Sequence, residues 1–111
     1  MEYKIIKLIQ ETKDTRTFRL KPVKEKIIDF KPGHFVVLSA DLMINGNLQQ
    51  IKRAYSISST PNNEYFDLTI KKLPNGLMST YVMTLKEGNT MDIAGPYGSF
   101  VYENTMKDVV F

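Results

Sequence analysis

Across residues 65–85 the apolar pattern changes its period, and this limits the fold more than any other feature of the chain. Residues 65–71 alternate. Phe66, Leu68 and Ile70 share one face and Asp67, Thr69 and Lys71 the other, the two-residue period of a half-buried strand. Pro74-Asn75-Gly76 then breaks the run. Beyond it, Met78, Tyr81, Val82 and Leu85 follow helical spacing and form one apolar face, with Lys86 in the last turn and Gly88 placed as a C-terminal cap. No other stretch has this spacing, so the chain has one helix and is otherwise built of strands.

The strand signals are uneven. Residues 3–10 are rich in isoleucine and leucine with lysines between them, but their alternation is not clean. Residues 12–15 are turn formers. Residues 17–21 alternate, with Phe18 and Leu20 inward, and complete a hairpin with the first segment. Residues 24–31 read as a charged connector carrying Ile27, Ile28 and Phe30, and Pro32-Gly33 as a turn. Residues 35–40 are almost continuously apolar, as in a well-buried strand. Asn45-Gly46-Asn47 marks a turn in an exposed polar loop. A strand over residues 53–59 ends at Thr60-Pro61-Asn62-Asn63. Met91 and Ile93 mark a last strand ended by Gly95-Pro96-Tyr97-Gly98, and residues 103–107 form a polar tail. Six strand-like segments and one helix predict an all-β fold, a closed antiparallel barrel or sandwich in a single domain.

Composition narrows the chemistry. A chain of 111 residues, 42% apolar and 24% charged, is globular material for one core. It has no cysteine, which excludes disulfides, thiolate metal sites and cysteine nucleophiles and points to a reducing compartment, the cytoplasm. The single histidine, His34, excludes a multi-histidine metal site and reads as structural, and no acidic cluster replaces it. No apolar run reaches the ~18 residues of a membrane span, and charge interrupts the apolar residues of the N-terminus, so no signal peptide is read there. The net charge of +3 comes from 15 basic and 12 acidic residues that are dispersed along the chain. That suits a small anionic ligand better than nucleic acid, which calls for a basic stripe.

Two stretches carry the functional signal. In Arg53-Ala54-Tyr55-Ser56-Ile57-Ser58-Ser59, strand alternation puts Arg53, Tyr55 and Ile57 on one face and Ala54, Ser56 and Ser58 on the other. A guanidinium can fork two hydrogen bonds onto a phosphate, and the neighbouring phenol offers a stacking surface. The plainer reading is an ordinary strand with Arg53 and Tyr55 half exposed. In Pro74-Asn75-Gly76-Leu77-Met78-Ser79-Thr80, the first helical turn has unpaired N–H groups that favour anions. Gly76 there admits a close backbone approach, and Ser79 and Thr80 add hydroxyls. The plainer reading is a turn followed by a capped helix. Together the two stretches fit a ligand with two phosphates and an aromatic ring.

Arg53-Ala54-Tyr55-Ser56 followed by Gly76-Leu77-Met78-Ser79 resembles the flavin-binding domain of the ferredoxin–NADP reductase family. Three further matches are Lys31-Pro32-Gly33-His34-Phe35, Lys86-Glu87-Gly88-Asn89 (with asparagine where an aspartate is common) and Gly95-Pro96-Tyr97-Gly98-Ser99-Phe100. The resemblance covers nearly the whole chain. It implies a six-stranded antiparallel Greek-key barrel with one capping helix, binding FAD, or FMN in some branches. It implies that Arg53 holds a flavin phosphate, that Tyr55, beside Ala54, packs against the ring or ribityl chain, and that Ser56 bonds near the flavin N5. Thr69, Ile70 and Lys71 would line the flavin edge, partly through backbone groups, and Gly76, Leu77, Met78 and Ser79 would take the pyrophosphate.

The resemblance also implies partners. Residues 1–107 would form the flavin domain, and residues 108–111, Asp108-Val109-Val110-Phe111, would begin the NAD(P)-binding domain into which family members continue. No G-x-G-x-x-G follows a strand here, so the expectation is a chain trimmed to its flavin domain rather than one naturally short. The implied function is that of an electron-transfer oxidoreductase domain, passing electrons from NAD(P)H through flavin to a redox acceptor, with little nicotinamide-dependent activity by itself. The competing reading is a small β-barrel module without cofactor, binding single-stranded nucleic acid or another protein.

Overall fold

The computed structural model describes residues 1–24, 30–31, 33–60 and 64–98. The elements are β1 (Glu2–Gln10), β2 (Thr15–Pro22), β3 (Phe35–Ile44), β4 (Asn47–Ser56), β5 (Phe66–Lys71), α1 (Leu77–Val82) and β6 (Thr90–Tyr97). The strands form one sheet in the order β4-β3-β6-β1-β2-β5, antiparallel throughout. The all-β expectation holds, with six strands and one short helix.

The β1–β2 hairpin turns where the Thr12 hydroxyl accepts the N–H groups of Asp14 and Thr15, at 3.2 and 3.1 Å. The irregular alternation of the first strand has a physical cause. The β1–β2 register slips between Ile5 and Lys7, a bulge that changes which side each later residue faces. Ile5 is therefore buried, Ile6 exposed, and Leu8 packs back onto the core. The alternating segments behave as expected: Phe18, Leu20, Phe66, Leu68 and Ile70 are all buried. Removing a side chain of this kind from water stabilises the fold by about 2 kcal/mol.

Three expectations need correction. The sheet is not a closed barrel: its edge strands β4 and β5 do not pair, and one isolated bridge, Ile57–Leu68, joins the residue after β4 to β5. The helix packs against β4, with its Met78 and Val82 buried in the core. The second correction concerns the surroundings of Asn45-Gly46-Asn47: the turn is there and exposed, as expected, but strand and not loop flanks it. Asn45 and Gly46 both have left-handed φ, 51° and 81°, and form a two-residue hairpin turn that carries β3 and β4 in unbroken register from Phe35–Ser56 to Ile44–Asn47. Third, the helix ends at Val82, before Leu85. Leu85 N–H donates to Val82 O, the tighter i→i+3 bond that closes the last turn. Gly88 (φ 94°) belongs to a separate turn held by Asn89 Oδ1, which accepts the N–H of Lys86 at 2.8 Å.

Gly95 and Pro96 lie within β6 rather than after it, opposite the register slip in β3 between Phe35 and Val37. The expectations for the connector beyond Lys24, for Pro32, Pro61, Asn62 and Asn63, for Ser99-Phe100, for the polar tail and for residues 108–111 fall outside the described residues. Among the described residues no helix is long and apolar enough to cross a membrane, and no group of acidic or histidine side chains has the arrangement of a metal site.

Candidate functional site

Because β4 and β5 are not paired along their length, a cleft opens between them where α1 begins. Its volume is about 220 Å³. Arg53, Ala54 and Tyr55 line it from β4, Lys71 from the end of β5, and Gly76, Leu77, Met78 and Ser79 from the start of α1. The two stretches singled out in the sequence therefore form its opposing walls. Ser56, Thr69 and Ile70 are not part of this lining. Ser56 is exposed at the end of β4 opposite Phe35. Ile70 is core, 1% exposed, so only its backbone can face a ligand. Thr69 is exposed and donates its hydroxyl to Ser58 Oγ at 3.0 Å.

Leu73 and Asn75 also line the cleft; the sequence reading passed over Leu73 and gave Asn75, though part of the second stretch, no role in the site. The signal for Asn75 is the Pro74-Asn75 pair. Gly76 N–H donates to Leu73 O at 3.0 Å across it, with Asn75 at φ 62°, the arrangement of a type II turn with proline first and a left-handed residue second. Leu73 signals itself only as a large apolar residue left 53% exposed.

The helix start departs from simple capping. Its N-cap is Gly76, and no side chain caps it. The Ser79 hydroxyl is buried and turned to other work, accepting the Leu73 N–H at 3.1 Å and so fixing the turn to the helix. Thr80 N–H makes the first intrahelical bond, to Gly76 O at 3.0 Å. The N–H groups of Leu77, Met78 and Ser79 precede it and have no acceptor within the helix. Gly76 is glycine because a Cβ there would collide with the Ser79 hydroxyl; the close approach is within the protein itself.

The electrostatics favour an anion. The ion pairs among the described residues are Met1–Asp92 and Arg19–Asp67. Neither Arg53 nor Lys71 has an acidic partner there, and Arg53 spends one N–H on Lys52 O at 2.7 Å, leaving the rest of its fork for a ligand. Burial pushes the Tyr55 phenol above its ordinary range, against the opposing attraction of Arg53, so the ring stays neutral at physiological pH. Two cations without an acidic partner among the described residues, helix-start N–H groups without an acceptor in the helix and a neutral aromatic ring fit a ligand that carries phosphate and a flat ring. His34 has a structural job: its Nδ1 accepts the Lys31 N–H at 3.1 Å and its carbonyl accepts Ile57 N–H at 3.0 Å, tying the entry of β3 to the end of β4.

Comparison with known proteins agrees with this geometry. A family model for the oxidoreductase FAD-binding domain matches residues 2–102. The glycine betaine monooxygenase reductase subunit of Pseudomonas aeruginosa (strain UCBPP-PA14) is 42% identical over 97 residues, covering 86% of this chain and 25% of that protein. Among solved structures, the flavohem-like FAD/NAD binding domain of nitric oxide dioxygenase from Vibrio cholerae O1 biovar El Tor superposes with a TM-score of 0.78 at 22% identity, covering 93% of this chain and 46% of that one. Flavohemoglobin from Malassezia yamatoensis, with bound FAD and heme, gives a TM-score of 0.74 at 26% identity, covering 88% and 25%. The chain spans about a quarter of the length of the curated relatives it matches.

Proposed function

Because this chain belongs to the oxidoreductase FAD-binding domain family, whose cofactor is FAD, we propose that the cleft between β4 and α1 holds the flavin of an NAD(P)H-dependent electron-transfer reductase. The observation that carries the reading is the meeting of Arg53 and Tyr55 with the free N–H groups of Leu77, Met78 and Ser79 around one cleft. The bound flavin supplies a ring that accepts a hydride and releases electrons singly or in pairs; the protein binds it, orients it and sets its electrostatics.

In this reading Arg53 and Lys71 neutralise phosphate charge, and the helix-start N–H groups add hydrogen bonds to a pyrophosphate, which favours FAD over FMN. Tyr55 offers its ring face to the flavin ring or ribityl chain. Ser56, beyond the cleft on the same strand, bonds near the flavin N5, and the exposed Thr69 and the backbone of Ile70 line the flavin edge. A nucleotide-binding domain delivers NAD(P)H to the flavin, and a redox protein or small molecule accepts the electrons. The Vibrio cholerae neighbour, a FAD/NAD binding domain, supports the first of these partners. The cysteine-free composition fits a cytoplasmic setting. A cofactor-free nucleic-acid or interaction module has no use for this set of residues together.

The test is a titration of the purified chain with FAD, read as a perturbed visible spectrum and quenched flavin fluorescence. Arg53→Ala should weaken binding by about 1–3 kcal/mol, the worth of a charge-assisted hydrogen bond. Binding of neither FAD nor FMN at high concentration would refute the reading.

A further inference from the structure

The two edges that form the cleft are fastened to each other just beyond it. Three residues after Tyr55, Ser58 donates its N–H and its hydroxyl to the carbonyl of Asp67, at 2.8 and 3.0 Å. Asp67 N–H donates in return to Ser59 Oγ at 3.0 Å. These bonds flank the Ile57–Leu68 bridge, where β4 meets β5. The Asp67 side chain is itself clamped. Arg19 on β2 forks onto both of its oxygens at 2.9 and 3.1 Å, and the same guanidinium lies 4.2 Å over the Tyr65 ring.

We propose that this latch, Ser58 and Ser59 on Asp67 with Arg19 behind it, is a positioning device for the flavin cleft. Arg53 and Tyr55 stand on one sheet edge and Lys71 on the other. Their separation is set where the edges are joined, and the latch makes that join. A sheet closed along its whole length would leave no cleft, and a sheet without the latch would leave the width of the cleft to fluctuate. Ser58, Ser59, Asp67 and Arg19 are not among the cleft's lining residues; Ser58 Oγ also accepts the Thr69 hydroxyl at 3.0 Å, and the set acts through the position of β4 relative to β5. Asp67 is the residue that the strand pattern turns outward, yet it is only 9% exposed. Its carboxylate tolerates that burial through the bidentate bond from Arg19.

The inference rests on the reading of the cleft as the flavin site, so its test keeps the two apart. Amide hydrogen exchange on the flavin-free chain reads the latch alone, and FAD titration reads its consequence. Ser58→Ala removes the hydroxyl bond while keeping the backbone bond. It should speed exchange at the Ser58 and Asp67 amides, the two that the latch holds, and weaken FAD about tenfold, the worth of one hydrogen bond, at a temperature where the chain is fully folded. Ser58→Thr, which keeps the hydroxyl, should restore both. Asp67→Asn should act in the same direction more strongly; if it fails to fold, the serine pair of variants still decides. Faster exchange in Ser58→Ala with unchanged FAD affinity would overturn the positioning role. Unchanged exchange would overturn the latch. A wild-type chain that binds no FAD would overturn the flavin reading and this proposal with it.

Discussion

The Ser79 hydroxyl occupies the space that a side chain at residue 76 would need. A Cβ on Gly76 would fall on Ser79 Oγ and lie 3.1 Å from Leu73 Cβ. The φ of Gly76 is −78°, a value any residue adopts, so glycine is present here for room and not for backbone freedom. Gly76→Ala should displace the Ser79 hydroxyl and leave the Leu73 N–H without its acceptor, a loss of about 1–3 kcal/mol. Ser79→Ala should cost a similar amount through the same bond. The double variant should then cost less than the two together, because one contact is being removed twice. Urea unfolding of the three variants checks this; additive costs would show that the two residues act independently.

Tyr3 is fully buried with its ring 5.1 Å from Phe66, and its hydroxyl has no hydrogen-bond partner among the described residues. A buried hydroxyl without a partner costs more than it returns. Tyr3→Phe should therefore raise stability, by about 1 kcal/mol, seen as a higher urea midpoint at unchanged slope. A destabilised variant would mean that the hydroxyl is bonded in solution.

How much of this was legible in the residues depends on how local the deciding forces are. The strands through Phe18 and Leu20 and through Phe66, Leu68 and Ile70 follow from alternation alone, since one face meets a core and the other water. The pairing of Arg53-Ala54-Tyr55 with Gly76-Leu77-Met78-Ser79 across one cleft was legible as a resemblance, because both stretches keep their local order. What was hidden is set by tertiary contact. The bulge after Ile5 scrambles the alternation of β1, and nothing in residues 3–10 shows where it falls. The unpaired edges of β4 and β5, with α1 packed against β4, are tertiary features that strand patterns do not encode. The length of β3 and β4 was legible after all: Asn45-Gly46 is a strong hairpin signal, but the polar residues Asn47, Gln49 and Gln50 read as loop because β4 is an edge strand exposed to water there.

Burial pushes the phenols of Tyr3 and Tyr55 above their ordinary range, and for Tyr55 it does so against the lowering effect of Arg53. In the unfolded chain both ionise near pH ~10. Above that pH the unfolded chain has released protons that the folded chain still holds, so folding stability is full below about pH 10 and falls as pH rises through the higher folded values. Urea unfolding from about pH 8 to about pH 11 should show the decline. An ultraviolet absorbance titration should show Tyr3 and Tyr55 ionising above the ordinary phenol range. Tyr3→Phe should make the decline shallower, and an equally steep decline would assign it to other groups.

The β3–β4 turn offers a way to separate fold stability from cofactor binding. Gly46 has φ 81° and no neighbour within 4 Å of the place its Cβ would take, so a side chain there meets strain but no clash. Gly46→Ala should cost about 1 kcal/mol of stability through the left-handed backbone alone. The turn stands at the start of β4, about 30 Å along the strand from Tyr55 at ~3.3 Å per residue. Nothing it carries reaches the cleft, whose β4 wall is Arg53, Ala54 and Tyr55. FAD affinity at a temperature where both proteins are folded should therefore equal that of the wild type. A drop as large as that of Arg53→Ala would mean that the cleft is held by strain running the length of β4, and the wall residues would then owe their position to the hairpin as well as to the latch at Asp67.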